Sequence, residues 1–303
     1  MIAIADPASP SGIVWIASYP KSGNTWVRIF LQNYMLIAEG KPLDDTDLSQ
    51  VAKLARAEDS LVPLFEKVMG KPVMKASILD VAAARAKVHE MIKTNSAGVA
   101  LIKTHNMLGM ISGMATINRA VSAGAIYVVR NPLDVVLSLQ DHLGSTLDEA
   151  ILGMGHPNFA TMNEPRKVFE LWGSWSQNVE SWTAQKSDPV LVLRYEDMLE
   201  KPIEAFTSIV RHLRQPIVSA QIEGAVERAS FKRLREQEET AGFSEKSARG
   251  SAFFRVGKSG QWRDKLPEDA VRKIVAKHHG QMRRFGYLTQ DLERFVPAAA
   301  TTA

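Results

Sequence analysis

Apolar positions along the chain fall into two kinds of run. Four are short and nearly continuous: "IVWIAS" at 13–18, "VALIKTH" at 99–105, "AIYVVRN" at 125–131 and "VLVLRYEDM" at 190–198. A strand covered on both faces loses its apolar–polar alternation, so these four are predicted to form a short parallel sheet. The longer runs carry helical spacing. "VRIFLQNYMLIAEG" follows the first strand and stops at Gly40, and "PLDVVLSLQDHLG" follows the third and stops at Gly144. Repeated strand, helix and strand predicts a three-layer α/β fold with helices on both faces of the sheet.

The remaining segments divide by composition. Residues 42–94 are polar-rich with helical spacing and read as an inserted helical cap. In "LWGSWSQNVESW" (171–182), Trp172, Trp175 and Trp182 share one helical face and read as a core-facing stripe. "EQEETAGFSEKSARGSA" (236–252) is charged and rich in Gly and Ser. It predicts a mobile loop, which extends as a lid to residue 258. With no internal repeat, residues 13–290 read as one domain, after an arm at 1–12 and before a flexible tail at 291–303.

Composition narrows the chemistry. The 303 residues carry a net charge of +4, which calls for no nucleic-acid partner and suits a local basic pocket for an anionic small molecule. The chain has no cysteine, which excludes disulfides, thiolate metal sites and cysteine nucleophiles. "MIAIADPASPSG" lacks the basic start and apolar stretch of a signal peptide. No run approaches the ~20 apolar residues of a membrane span. The expectation is a soluble, cytoplasmic protein.

Candidate chemistry sits at the ends of the predicted strands. "SYPKSGNTW" (18–26) joins the first strand to its helix and places Lys21, Ser22, Gly23 and Thr25 where free N–H groups and the helix dipole favour an anion. It differs from the usual G-x-x-x-x-G-K-[ST] loop because its lysine precedes the glycine. Trp26 offers a flat face to a base. Lys103 and His105 are two apart at the second strand's end and so point the same way, toward the crevice where ligands bind in open α/β sheets. A histidine there suits a general base. Arg130 leaves the third strand, with Ser138 about two turns into the following helix. Arg130 suits a terminal phosphate, and an ion pair with Asp134 is the structural alternative. Late in the chain, "FFRVGKSGQW" (253–262) offers Arg255, Gly257 and Lys258 as a lid over a phosphate.

With these pieces in order, the sequence resembles the sulfotransferases that use 3′-phosphoadenosine 5′-phosphosulfate (PAPS). "YPKSGNTW" is similar to the family's 5′-phosphosulfate loop and "YVVRNPLDVVLS" to its 3′-phosphate motif. "FFRVGKSGQW" resembles its late R-K-G-x-x-G-[DE]-W motif, and "RYEDM" and "IKTH" stand in matching places. The resemblance runs from about Ile13 to about Tyr287. It implies a P-loop-like fold in which Lys21, Ser22, Gly23, Asn24, Thr25 and Trp26 hold the 5′-phosphosulfate, with Trp26 stacked on adenine. It also implies that Arg130 and Ser138 hold the 3′-phosphate with Arg255, Val256 and Gly257, while Tyr195, Ser230 and Phe231 frame the nucleotide. His105 would be the base and Lys21 would neutralise the leaving oxygen. Lys103 would assist, and Ser138 would hold Lys21 back until acceptor arrives. No metal is implied. The acceptor would be a small molecule with a hydroxyl, less readily an amine, in a partly apolar pocket from 42–94 and 144–165.

There are departures from the pattern. Val256 stands where lysine is frequent, Gln261 where aspartate is, and Ala229 where threonine is, and no K-x-x-x-T-V dimer motif follows Trp262. A small-molecule P-loop kinase is the competing reading, opposed by the missing GK[ST] and by Asp134 lying inside a helix. A PAPS-binding protein without catalysis is the third, opposed by Lys21, Lys103 and His105 all being present.

Overall fold

The structure, a computed structural model, describes residues 11–41, 60–184, 189–242 and 257–298. Its central sheet has four strands: β1 (Gly12–Ser18), β2 (Val99–Thr104), β5 (Ser122–Val129) and β6 (Val190–Arg194), in the order β2-β1-β5-β6. Every pairing in it is parallel. A two-stranded hairpin, β3 (Met110–Ile111) and β4 (Met114–Ala115), follows β2. The four apolar runs are thus the four sheet strands. The fourth ends earlier than its apolar run implied, because Tyr195–Glu200 is helical.

Strand periodicity separates two cores. Ile13, Trp15, Ala17, Ala125, Tyr127 and Val129 point to one face. That face is covered by helices Pro132–Leu143, Trp175–Thr183 and Glu268–Arg284. Ile16, Ile126, Val128 and Leu193 point to the other, where helices Asn24–Ala38, Pro202–His212 and Ser219–Arg228 pack. These three layers are the α/β architecture expected.

A smaller cluster joins helices Val62–Met69 and Ile78–Thr94 to Val168 and Phe169. It is the described part of the segment read as a cap. Its longer helix also reaches the sheet, where the His89 ring meets Trp15 edge-on at 4.8 Å.

Local signals explain the element ends. Ser77 with Asp80, Thr146 with Glu149 and Ser174 with Gln177 form reciprocal capping boxes. Gly144 takes φ 62 at the stop the sequence predicted. The aromatic stripe needs one correction. Gly173, at φ 66, turns the chain before the helix Trp175–Thr183 begins, so Trp172 lies outside it. All three tryptophans are nonetheless buried. A second correction concerns the polar stretch from Glu236, since residues up to Ala241 continue the helix Phe231–Ala241. Residues 243–256, including most of the expected lid, lie outside the described residues, as do 42–59 of the cap. Among the described residues no helix is long and apolar enough to cross a membrane.

Burial depresses several histidines and makes the fold acid-sensitive. His89 and His278 are deeply buried, and burial holds both below the ordinary value of 6.5, His278 at about 3. His142 is lowered to about 4, and His212 is lowered too, in each case chiefly by burial. The folded state therefore stays neutral at these rings while the unfolded chain binds protons below about 6.5. Stability is complete above that pH and is lost as pH falls toward 3–4. His89 and His278 together should cost about 3 kcal/mol per pH unit over that fall. A melting temperature that stays flat between about pH 7 and about pH 5 would contradict this.

Candidate active site

The parallel register sets the site. Ala17 lies opposite Thr104 and Ser18 opposite Val128, while Val129 lies opposite Arg194. The carboxyl ends of the four strands are therefore level, and the loops leaving them carry Lys21, His105, Arg130 and Tyr195 along one crevice. The chain reverses its winding direction at β1, the place where open α/β sheets bind ligands.

The loop after β1 is built for an anion. Lys21 adopts φ 67 and Gly23 φ 107, both left-handed, which turns successive backbone N–H groups inward at a helix start. A Cβ on Gly23 would come within 2.7 Å of the Tyr195 ring, so only glycine fits there. Ser22 is fully buried, and its Oγ finds no hydrogen-bond partner among the described residues. Such a hydroxyl is costly unless a ligand uses it. Asn24 turns away from the crevice: its amide donates to the Ile16 carbonyl at 2.7 Å and to Ser18 Oγ at 3.4 Å. It locks the helix start to the strand.

Arg130 closes one end of this loop. Its guanidinium donates to the Lys21 carbonyl at 3.0 Å and lies 4.3 Å above the Tyr195 ring. Arg130 Nε has no partner among the described residues, although the residue is only 9% exposed. Below it, Glu196 accepts the Asn131 N–H at 3.1 Å and the Tyr287 hydroxyl at 2.8 Å. Burial raises the Glu196 pKa above the usual carboxylate value. Tyr195 was expected on the adenine side; its ring braces Arg130 and Gly23, and meets Trp26 edge-on at 5.9 Å.

Asp134, the alternative partner considered for Arg130, is engaged elsewhere. Asp134 is 2% exposed, and its two oxygens accept the N–H groups of Gly260 (2.7 Å) and Trp262 (3.1 Å). The late motif is thereby fastened to the helix that starts beside Arg130. Gly257 adopts φ 59, and a Cβ there would sit 2.3 Å from the Phe231 ring, so this backbone lies directly on that ring. Ser230 is the residue preceding the helix Phe231–Ala241. Trp26 donates its indole N–H to the Ala229 carbonyl at 2.7 Å, which brings this segment against the anion loop. Arg255 and Val256 lie outside the described residues.

His105 stands at the other end. Its Nδ1 is 2.8 Å from the Ser18 carbonyl, and a carbonyl can only accept, so Nδ1 carries the proton and Nε2 keeps a free lone pair. Burial, then the Lys103 ammonium, hold this ring well below the ordinary imidazole value, so it is neutral at physiological pH. Trp172 meets the ring edge-on at 6.4 Å and Phe159 meets Trp172 at 5.2 Å, forming an aromatic wall beside it. Lys103 is buried, with its ammonium 3.9 Å from Glu170. Ser138 and His142 are one helical turn apart, both half-buried. His142 lies in the field of Lys21, Lys167 and Lys103. Glu170 and Lys167 escaped the sequence reading, since both lie in an irregular stretch with no periodic signal.

A level row of strand ends thus brings together the Lys21–Gly23 loop, a buried arginine and a neutral histidine. Residues 12–286 match the sulfotransferase domain family, and the chain belongs to it. It is 28% identical over 268 residues to the dog (Canis lupus familiaris) protein Sulfotransferase 1A1, covering 84% of this chain and 78% of that one. It is 23% identical over 277 residues to Flavonol 3-sulfotransferase of Flaveria bidentis, covering 86% and 78%. Its fold is similar to retinol dehydratase in complex with androsterone and inactive cofactor PAP (TM-score 0.59, 19% identity, covering 89% and 80%). A mouse sulfotransferase complexed with PAP has the same fold (TM-score 0.57, 18% identity, covering 96% and 90%).

Proposed function

We propose that this sulfotransferase moves the sulfuryl group of PAPS to a hydroxyl of a small-molecule acceptor, with His105 as general base. The observation that carries the reading is the 2.8 Å contact between His105 Nδ1 and the carbonyl of Ser18. It joins the base to the strand end that feeds the anion loop, so base and donor site are fixed to one rigid point.

PAPS supplies a sulfuryl group on a good leaving oxygen. The residues fit such a donor: Ser22 Oγ awaits a partner, Arg130 keeps Nε open for the terminal phosphate, and Lys21 carries the charge for the leaving oxygen. His105 Nε2 takes the acceptor's proton as the acceptor oxygen bonds to sulfur and the sulfur–oxygen bond to the phosphate breaks. Ser138, on the helix behind Arg130, is assigned the control of Lys21 before acceptor arrives. Trp172 and Phe159 give the acceptor an apolar wall, which suits an alcohol or phenol above an amine. The kinase reading gains nothing from Asp134, which lies inside a helix and whose two oxygens each accept a backbone N–H group.

Thermal-shift titration with PAP, beside ATP with Mg²⁺, tests the donor. PAP should raise the melting temperature by mass action and ATP–Mg²⁺ should not. Arg130→Ala should weaken PAP by roughly 30–150-fold, the effect of removing a charge-assisted grip worth about 2–3 kcal/mol. Stabilisation by ATP–Mg²⁺ alone would place a kinase first.

A further inference from the structure

Glu170 is a buried carboxylate, 3% exposed, that the reaction described above does not use. One of its oxygens lies 3.9 Å from the Lys103 ammonium and accepts the backbone N–H of His105 at 3.4 Å. The other accepts the Trp172 indole N–H at 3.4 Å. The segment carrying it is fastened on both sides. Glu170 donates its N–H to Thr161 Oγ1 at 2.9 Å and Leu171 donates to Asn106 Oδ1 at 2.8 Å. Met107 returns an N–H to the Leu171 carbonyl at 2.9 Å. Residues 170–171 and 105–107 therefore run side by side, and the carboxylate cannot drift from the histidine.

We propose that Glu170 is a positioning residue for sulfuryl transfer: its carboxylate keeps the buried Lys103 ammonium charged and aimed beside His105. The inference rests on the reading that His105 and the loop after β1 form the transfer site. The concentration of basic groups at this strand end makes the need concrete. Lys103, Lys167 and Arg28 act on His105, and Lys21, Lys167 and Lys103 act on His142, with Asp141 on the opposing side. A buried ammonium in a field of like charges surrenders its proton readily unless a carboxylate stands close. Glu170 stands there. The same oxygen also accepts the backbone N–H of His105 at 3.4 Å, which ties the chain carrying the base to the carboxylate that faces the cation.

The test uses the full chain and needs no knowledge of the acceptor. PAPS conversion to PAP and sulfate is followed in single turnover with enzyme in excess, from about pH 6 to about pH 10, and PAP affinity is measured in parallel by calorimetry. For Glu170→Gln the alkaline limb of the rate should move down by about one pH unit, giving roughly tenfold slower turnover on that limb. PAP affinity should stay within about twofold, because Glu170 touches none of the anion loop. Glu170→Asp, which keeps the charge, should move the limb less, and it carries the test if the glutamine variant fails to fold. An equal loss at every pH, or an unmoved limb, would overturn the inference and make Glu170 structural. Failure of the wild-type protein to bind PAP is a separate result, which removes the donor reading and this inference with it.

Discussion

Replacing His105 with alanine is expected to slow sulfuryl transfer by roughly 10²–10⁴-fold while leaving PAP affinity almost intact. The size follows from the role: a positioned base removes a proton that otherwise must go to water. The selectivity follows from geometry. His105 meets Ser18 through its Nδ1, 2.8 Å from the carbonyl and 3.4 Å from Oγ, and the loop's shape is held independently by Asn24 on Ile16 and by Arg130 on Lys21. The pH dependence gives a second readout. Burial and Lys103 lower the His105 pKa, so the base form persists as pH falls through the ordinary value of 6.5. The acidic limb of kcat/KM should therefore lie below that value, and a limb at or above it would remove His105 as the neutral base. A variant that turns over like wild type would leave a PAP-binding protein whose catalysis lies elsewhere. A variant that loses PAP as well would show that Ser18 needs the ring to hold the loop.

The parts of this site that could be read from the sequence are those that register dictates. Once four apolar runs are parallel strands, their carboxyl ends must be level, and Lys21, His105, Arg130 and Tyr195 follow as neighbours. Local spacing carried less. Arg130 and Asp134 are four apart on paper, yet the partners of Asp134 are Gly260 and Trp262, well over a hundred residues away. Backbone N–H groups in a tight turn have no signature in residue type, so that choice was invisible. Glu170 was missed for a related reason. It sits in an irregular stretch whose hydrogen bonds to Thr161 and Asn106 depend on how two distant loops meet. Trp172 shows the opposite error, where helical spacing was read across Gly173 although that glycine turns the chain first. Periodicity reports which positions are buried more dependably than which element buries them.

Asp134→Ala should destabilise the protein by about 2–5 kcal/mol and weaken PAP in the same variant. Two N–H groups, on half-buried Gly260 and buried Trp262, lose their acceptor together; the buried one costs about 1–3 kcal/mol when left unmet and the half-buried one less. Asp134 is also the acidic residue in the first turn of the helix Pro132–Leu143, so its charge favours that helix end by a further ~0.3–1 kcal/mol. The functional loss comes through the backbone. Gly257 rests on Phe231 and Gly260 is tied to Asp134, so the carboxylate holds residues 257–260 over the helix that Ser230 precedes. Freed, that segment must be reordered each time nucleotide binds. Asp134→Asn keeps one acceptor oxygen in place and should lose about half as much stability, which urea unfolding can resolve. An alanine variant within about 1 kcal/mol of wild type would show that water replaces the carboxylate at both N–H groups. Stability lost without PAP affinity would mean that the late motif folds against the domain yet contributes nothing to the nucleotide site. Loss of both is expected, because the carboxylate that closes the core at Trp262 also fixes residues 257–260 to the helix that begins beside Arg130.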